Sequence, residues 1–184
     1  MNFSRRYAEV VYPAQTRVLG LKLRPLTIAH ALLLWRIGSP FLAAGDVGVV
    51  ELTAAMYVLS RPCAAAAAGL QKGRTAYLLK VWAAQLWCRK DAIAKGQEQI
   101  NEHIEDAFSG PKLWELEGKL KNGAPYLQWL KCSLMECLNV TREQALNYQV
   151  REAIWDIACY AETHGRADWV SSSDEEDIKR LTGN

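Results

Sequence analysis

Residues 141–165 read TREQALNYQVREAIWDIACYAETHG, and both ends of a helix can be recognised in them. Thr141 and Gln144 have the spacing of a capping box, in which each side chain accepts a hydrogen bond from a backbone N–H that a helix start leaves free. Leu146, Val150, Ala153, Ile154, Ile157 and Ala161 follow mostly at intervals of three and four, which lines side chains along one helix face. Gly165 closes the run where a left-handed residue commonly caps a helix. The pattern predicts one amphipathic helix from Arg142 to His164 with its stripe buried, so that a charge placed at Ile154 unfolds the domain.

Working back from this element, Pro125 opens a helix that runs through Leu138, and the Asn122-Gly123 turn precedes it. Lys112 to Lys121, with Leu113, Trp114, Leu116 and Leu120, is a short amphipathic piece. From Arg74 the residues Tyr77, Leu78, Val81, Trp82, Leu86 and Trp87 repeat on a helical period. A charged continuation reaches Phe108, giving one long helix or two joined near Gly96. Val47 to Ser60 is a further helix. The alanines at 64–68 form either a tight helix–helix contact or a linker helix, with Gly69 and Gly73 as breaks. Pro25 or Thr27 starts the helix carrying Ile28, Leu32, Leu33, Trp35 and Ile37, which Gly38-Ser39-Pro40 ends.

Residues 5–12 and 17–23, rich in Val, Tyr and Leu, read as a β-hairpin around Pro13-Ala14-Gln15-Thr16. Downstream of Gly165, Ser173 to Glu176 is a second capping box that begins a short acidic helix. The expected fold is therefore mainly α: a compact helical domain of about five to seven helices at 25–184, with an N-terminal arm or hairpin at 1–24.

Half of the 184 residues are apolar, and with seven Trp the composition is that of a globular chain with a real core. No apolar run approaches the roughly 18 residues of a membrane span. The first residues lead into an acidic one where a signal peptide needs its apolar region, so a cytoplasmic location is expected. The five cysteines contain no CxxC pair, and their helical surroundings point to reduced core residues without metal. Residues 1–90 carry 12 basic and 3 acidic side chains against 10 and 17 in 91–184. The basic residues are scattered, which argues against nucleic acid and for halves that attract each other or neighbouring copies, with homo-oligomers held by salt-sensitive contacts.

Catalytic patterns are missing. None of His30, His103 and His164 lies three or four residues from another His, and neither GxGxxG, GxxxxGK[ST] nor GxSxG occurs. His164, one residue before Gly165, reads as a helix cap, and His30 as a satisfied core or surface residue. Glu98, Glu102, Glu105 and Asp106 share a helical face that reads as solvated acid rather than a metal site. No enzyme activity, cofactor or metal is expected. Large aromatics serve both cores and interface hot spots, and Trp82, Trp87, Trp155 and Trp169 are the candidates for a protein-binding surface. Trp169, between Gly165 and a serine run, is the foremost of them.

Two blocks, Leu23 to Phe41 (LRPLTIAHALLLWRIGSPF) and Val150 to Gly165 (VREAIWDIACYAETHG) with the acidic serine-rich tail after it, cover about a fifth of the chain. They resemble the tail assembly chaperones of tailed bacteriophages and prophages. The resemblance implies a mostly helical, non-enzymatic protein that coats the apolar tape-measure protein before the tail tube polymerises. It brings no catalytic residues, and the alanine run has no counterpart in it. A phage-encoded inhibitor or adaptor that binds one host protein stoichiometrically would have the same motif-free, helical character.

Overall fold

The computed structural model describes residues 3–43, 45–87, 90–111, 113–115, 125–165 and 167–169. Within them the chain is mainly helical, with nine helices and a short antiparallel hairpin near the N-terminus. In chain order these are α1 (Phe3–Val11), β1 (Arg17–Val18), β2 (Leu21–Lys22), α2 (Ile28–Arg36), α3 (Val49–Leu59), α4 (Cys63–Leu70), α5 (Gly73–Trp87), α6 (Lys90–Phe108), β3 (Leu113–Glu115), α7 (Tyr126–Cys137), α8 (Arg142–Asn147), α9 (Val150–Thr163) and β4 (Ala167–Trp169).

The sequence of α3, VVELTAAMYVL, has Glu51 as its one charged residue, and a helix apolar on nearly every side has to be surrounded. Most of it is: α2, α4, α5 and α6 all pack on it, and Leu52, Ala55, Val58 and Leu59 have no exposed surface, while Val50 at its start stays open. Full burial of one such leucine contributes about 1.5–3 kcal/mol. The buried Thr53 hydroxyl donates to Val50 O at 2.9 Å, so it costs the core little. A second group, α7, α8 and α9, is joined to the first through α2 and α6.

Two glycines expected to interrupt helices instead let helices touch. Gly96 is buried inside α6, where a Cβ would lie 3.1 Å from Leu19 and 3.2 Å from Leu52. Leu19 is the tip of the β1–β2 hairpin and is held in the left-handed region at φ 50°, beside Gly20 at 84°. Its N–H donates to Gln99 Oε1 of α6 at 3.2 Å, which fixes that strained tip on the helix. Gly69 lies within α4, and a Cβ there would overlap the Tyr57 hydroxyl of α3. The alanine run thus lies in a helix that packs on α3, with Ala66 buried, and α6 runs unbroken through Gly96 from Lys90 to Phe108.

The helix expected from Arg142 to His164 is two. The capping box forms, with Gln144 N donating to Thr141 Oγ1 at 3.3 Å and Thr141 N to Gln144 Oε1 at 2.8 Å. The helix then stops, because the next backbone groups find partners elsewhere. Tyr148 O accepts from Ile28 N at 3.1 Å, and Val150 N donates to Leu26 O at 2.9 Å, around a bridge between Thr27 and Gln149. Gly165 has φ 63°, as its capping place requires. The buried stripe of α9 is Val150, Ala153, Trp155 and Ala158, while Ile154 and Ile157 are half-buried.

Other expectations also change in detail. Residues 3–11 are a helix, not a strand, and the hairpin lies wholly within 17–22. The predicted arm is continuous with the main core, since Val18 and Leu23 belong to the same buried cluster as α2, α3 and α6. Leu113–Glu115 is a strand that pairs antiparallel with Ala167–Trp169. The rest of Lys112 to Lys121 and the second capping box lie outside the described residues, as does Cys88. Cys132 and Cys159 are exposed rather than core, Cys63 and Cys137 are half-buried, and these four are unlinked. Among the described residues no helix is long and apolar enough to cross a membrane.

Candidate functional site

Two tyrosines converge on one carboxylate beside a buried tryptophan. Tyr7 and Val10 stand three apart on α1 and so share a face, which lies against α9. The Tyr7 hydroxyl donates to Asp156 Oδ1 at 2.9 Å, and its ring meets that of Trp155 with centroids 6.2 Å apart. From the α8–α9 junction, the Tyr148 hydroxyl donates to Asp156 Oδ2 at 2.6 Å. Each carboxylate oxygen therefore has one phenolic donor. Burial, followed by the Asp156 hydrogen bond and charge, pushes the Tyr7 hydroxyl up to about 12 and that of Tyr148 upward as well. Both remain protonated donors at neutral pH. Glu152, one turn before Asp156, has its pKa raised by burial and then by the Asp156 charge.

Around the corner, the extended residues 13–16 overlie a cleft of about 290 Å³. Val10, Leu23 and Leu26 give it an apolar wall, and His103, Asp106 and Arg151 a polar one. Arg151 Nη1 is paired with Asp106 at 2.8 Å, while its Nε is buried without a partner. His103 spans the rims, with Nδ1 3.3 Å from Thr16 Oγ1 and Nε2 3.1 Å from Arg24 O. A carbonyl only accepts, so Nε2 carries the proton and Nδ1 accepts from Thr16. His30 repeats the device deeper in the core. Its Nε2 donates to Arg61 O at 2.8 Å, and Nδ1 accepts from Thr27 Oγ1 at 2.8 Å. Burial lowers the pKa of both histidines. His164 Nδ1 lies 2.9 Å from Tyr160 O, a helix-end contact of the kind its position predicts.

The four candidate tryptophans do not form one surface. Trp155 is 4% exposed and faces α1. Trp82 is half-buried on α5, next to Ala83 and Ala84. With Gly48, Val49, Val50 and Glu51 of the α3 start, those alanines line a shallow apolar trough of about 620 Å³. Trp87 ends α5, and Trp169 lies opposite Leu113 in the β3–β4 ladder. The side chains of these two are outside the described residues.

Sequence reading missed the most open of the described aromatics. Tyr12 is 82% exposed and Trp35 62%, with Leu32 and Ile37 partly open on the same helix end as Trp35. The signal was there: in IAHALLLWR nearly every residue is apolar, more than one buried face can hold. Glu98, Glu102, Glu105 and Asp106 are exposed, as a solvated face should be. Among the described residues no group of three His, Cys, Asp or Glu side chains is placed to hold a metal ion.

Comparison of the chain with protein-family models, with curated proteins and with solved structures finds no match.

Proposed function

We propose that this chain acts by binding another protein, as a phage or prophage tail assembly chaperone that shields apolar helical segments of the tape-measure protein. The observation that carries the reading is Trp35. It stands 62% exposed within the first of the two blocks that resemble such chaperones, three residues after the partly open Leu32 and two before Ile37. Leu32 and Trp35 share a helix face, and a tryptophan flanked by aliphatic side chains is the usual anchor of a protein interface. Open apolar side chains on rigid helices fit the helix-in-groove mode, which selects apolar character at i, i+3/i+4 and i+7 over exact sequence.

The test is co-expression with the tape-measure protein encoded by the same genome, followed by size-exclusion chromatography. The client is expected to become soluble and to elute with this protein, and Trp35→Ser to lower the recovered complex at least fivefold without changing the melting curve. A client equally insoluble with and without its partner, with no complex eluting, overturns the chaperone reading. Stoichiometric capture of a single host protein would then identify an inhibitor or adaptor.

A further inference from the structure

Helix α1 packs on α9 at a surface with specific chemistry. Of the α1 side chains described, Val10 alone is buried, whereas Tyr7, Ala8 and Glu9 are exposed. The chain between α1 and β1 has no regular structure. Beneath α1, Asp156 is already oriented by Tyr148, which approaches from the α8–α9 side and would stay if α1 left. Trp155 supplies an aromatic floor, and Glu152 adds a second carboxylate one turn away. This is a groove prepared for a helix of particular chemistry, and α1 brings to it an aromatic hydroxyl and an aliphatic residue three positions later, from a sequence that also contains Arg5 and Arg6.

We infer that α1 is a built-in occupant of a helix-docking groove on α9, and that a partner's basic amphipathic helix, with an aromatic residue and an aliphatic one at i and i+3, takes the groove by displacing it. The inference goes beyond the protein-binding reading above, because it concerns a second surface, on α9, apart from Trp35 on α2. Charge supports it, since the groove presents Asp156 and Glu152 to the incoming helix. An intramolecular helix competes at high effective concentration, so the free protein stays closed and opens to a ligand that outbids it.

The probe is a fluorescein-labelled peptide of residues 1–12, titrated by anisotropy into the full-length chain. Wild type is expected to bind it weakly, the Tyr7→Ala/Val10→Ser variant at least tenfold more tightly, and Asp156→Ala in that background to lose most of the gain. Equal binding by wild type and the loosened variant overturns the inference. Should the loosened variant fail to fold, hydrogen exchange on the wild-type chain decides. Saturating peptide should speed exchange in α1 while slowing it in α9, and unchanged or slowed exchange in α1 refutes the displacement. The client experiment stays separate. Peptide binding without a client complex removes the chaperone reading and leaves the groove, whereas a client complex without peptide binding removes the groove.

Discussion

At the start of α9 the chain is sealed by backbone, whereas along its flank it is held by side chains. The seal consists of Ile28 N to Tyr148 O and Val150 N to Leu26 O, where Ile28, Leu26 and Val150 have 2% exposure or none and Tyr148 is half-buried. Around it, His30 satisfies both ring nitrogens without water. Breaking that joint strands buried donors and acceptors at roughly 1–3 kcal/mol each. On the flank, the described contacts of α1 include a hydroxyl from a residue 41% exposed and one buried valine, and water can replace the hydroxyl at small cost. The first contact is a permanent part of the domain, and the second is of the kind that opens locally while the rest stays folded.

The largest expected effect separates the two sides of α9. Ala153→Asp puts an unpaired charge where there is no exposed surface, and should cost about 4 kcal/mol or more. Ile154→Asp, at a half-buried site, should cost about half as much, and urea denaturation measures both. Equal losses, or a larger one at Ile154, would mean that the buried face is the stripe read from the sequence and not the one observed.

That discrepancy shows where local pattern stops being informative. The capping box, Gly165 and the helical period were legible because each is decided within a few residues. The break at Tyr148-Gln149 was not: no glycine or proline marks it, and its cause is a pair of hydrogen bonds to Leu26 and Ile28, far away in sequence. Likewise Gly69 and Gly96 read as interruptions until Tyr57, Leu19 and Leu52 are seen pressed against them. Residues 5–12 looked like a strand from their Val and Tyr content, yet Tyr7 and Val10 stand at a helical spacing that α9 selects. The acid–aromatic groove was legible only as far as Trp155, because Tyr7, Tyr148 and Asp156 meet only in the folded chain.

The two histidines with satisfied rings, His30 beside the joint and His103 in the cleft, should also make the fold acid-sensitive. His30 and His103 have pKa values lowered from 6.5, chiefly by burial. Between each lowered native value and 6.5, the unfolded chain binds more protons than the native one, so stability rises with pH there and falls on acidification. Glu152 works in the opposite sense, because its raised pKa favours the protonated native state as the pH falls. With two histidines against one carboxyl, the thermal midpoint should decline from about pH 7 to about 5.5. His103→Gln should flatten the decline. A midpoint independent of pH over that interval would show that neither ring is sealed in its neutral form.

Smaller again is the effect of Tyr7→Phe, which keeps the ring on Trp155 and removes the hydroxyl from Asp156. An exposed hydrogen bond to a carboxylate contributes about 1 kcal/mol, or roughly fivefold in an opening equilibrium. Amide exchange in α1 should quicken by about that factor while α3 and α9 stay unchanged. Exchange quickening equally in all three would make α1 part of the global unfolding unit and erase the contrast between flank and joint.

Arg151 should matter least, for a reason that can be checked. Its partner Asp106 has a side chain 57% exposed, and an ion pair open to water contributes about 0.2–1 kcal/mol, less at high salt. Against this stands the buried Nε, whose N–H has no partner and so carries a desolvation cost. Arg151→Met removes both contributions and keeps the apolar stem, leaving Asp106 to be solvated. The two changes oppose each other, so stability should move by less than about 0.5 kcal/mol in low salt. In molar salt, where the pair is screened, the variant should be at least as stable as wild type. A loss above about 2 kcal/mol would show that the pair ties α6 to α9 as firmly as the backbone ties α2 to the start of α9, and would move this contact to the permanent side of the molecule.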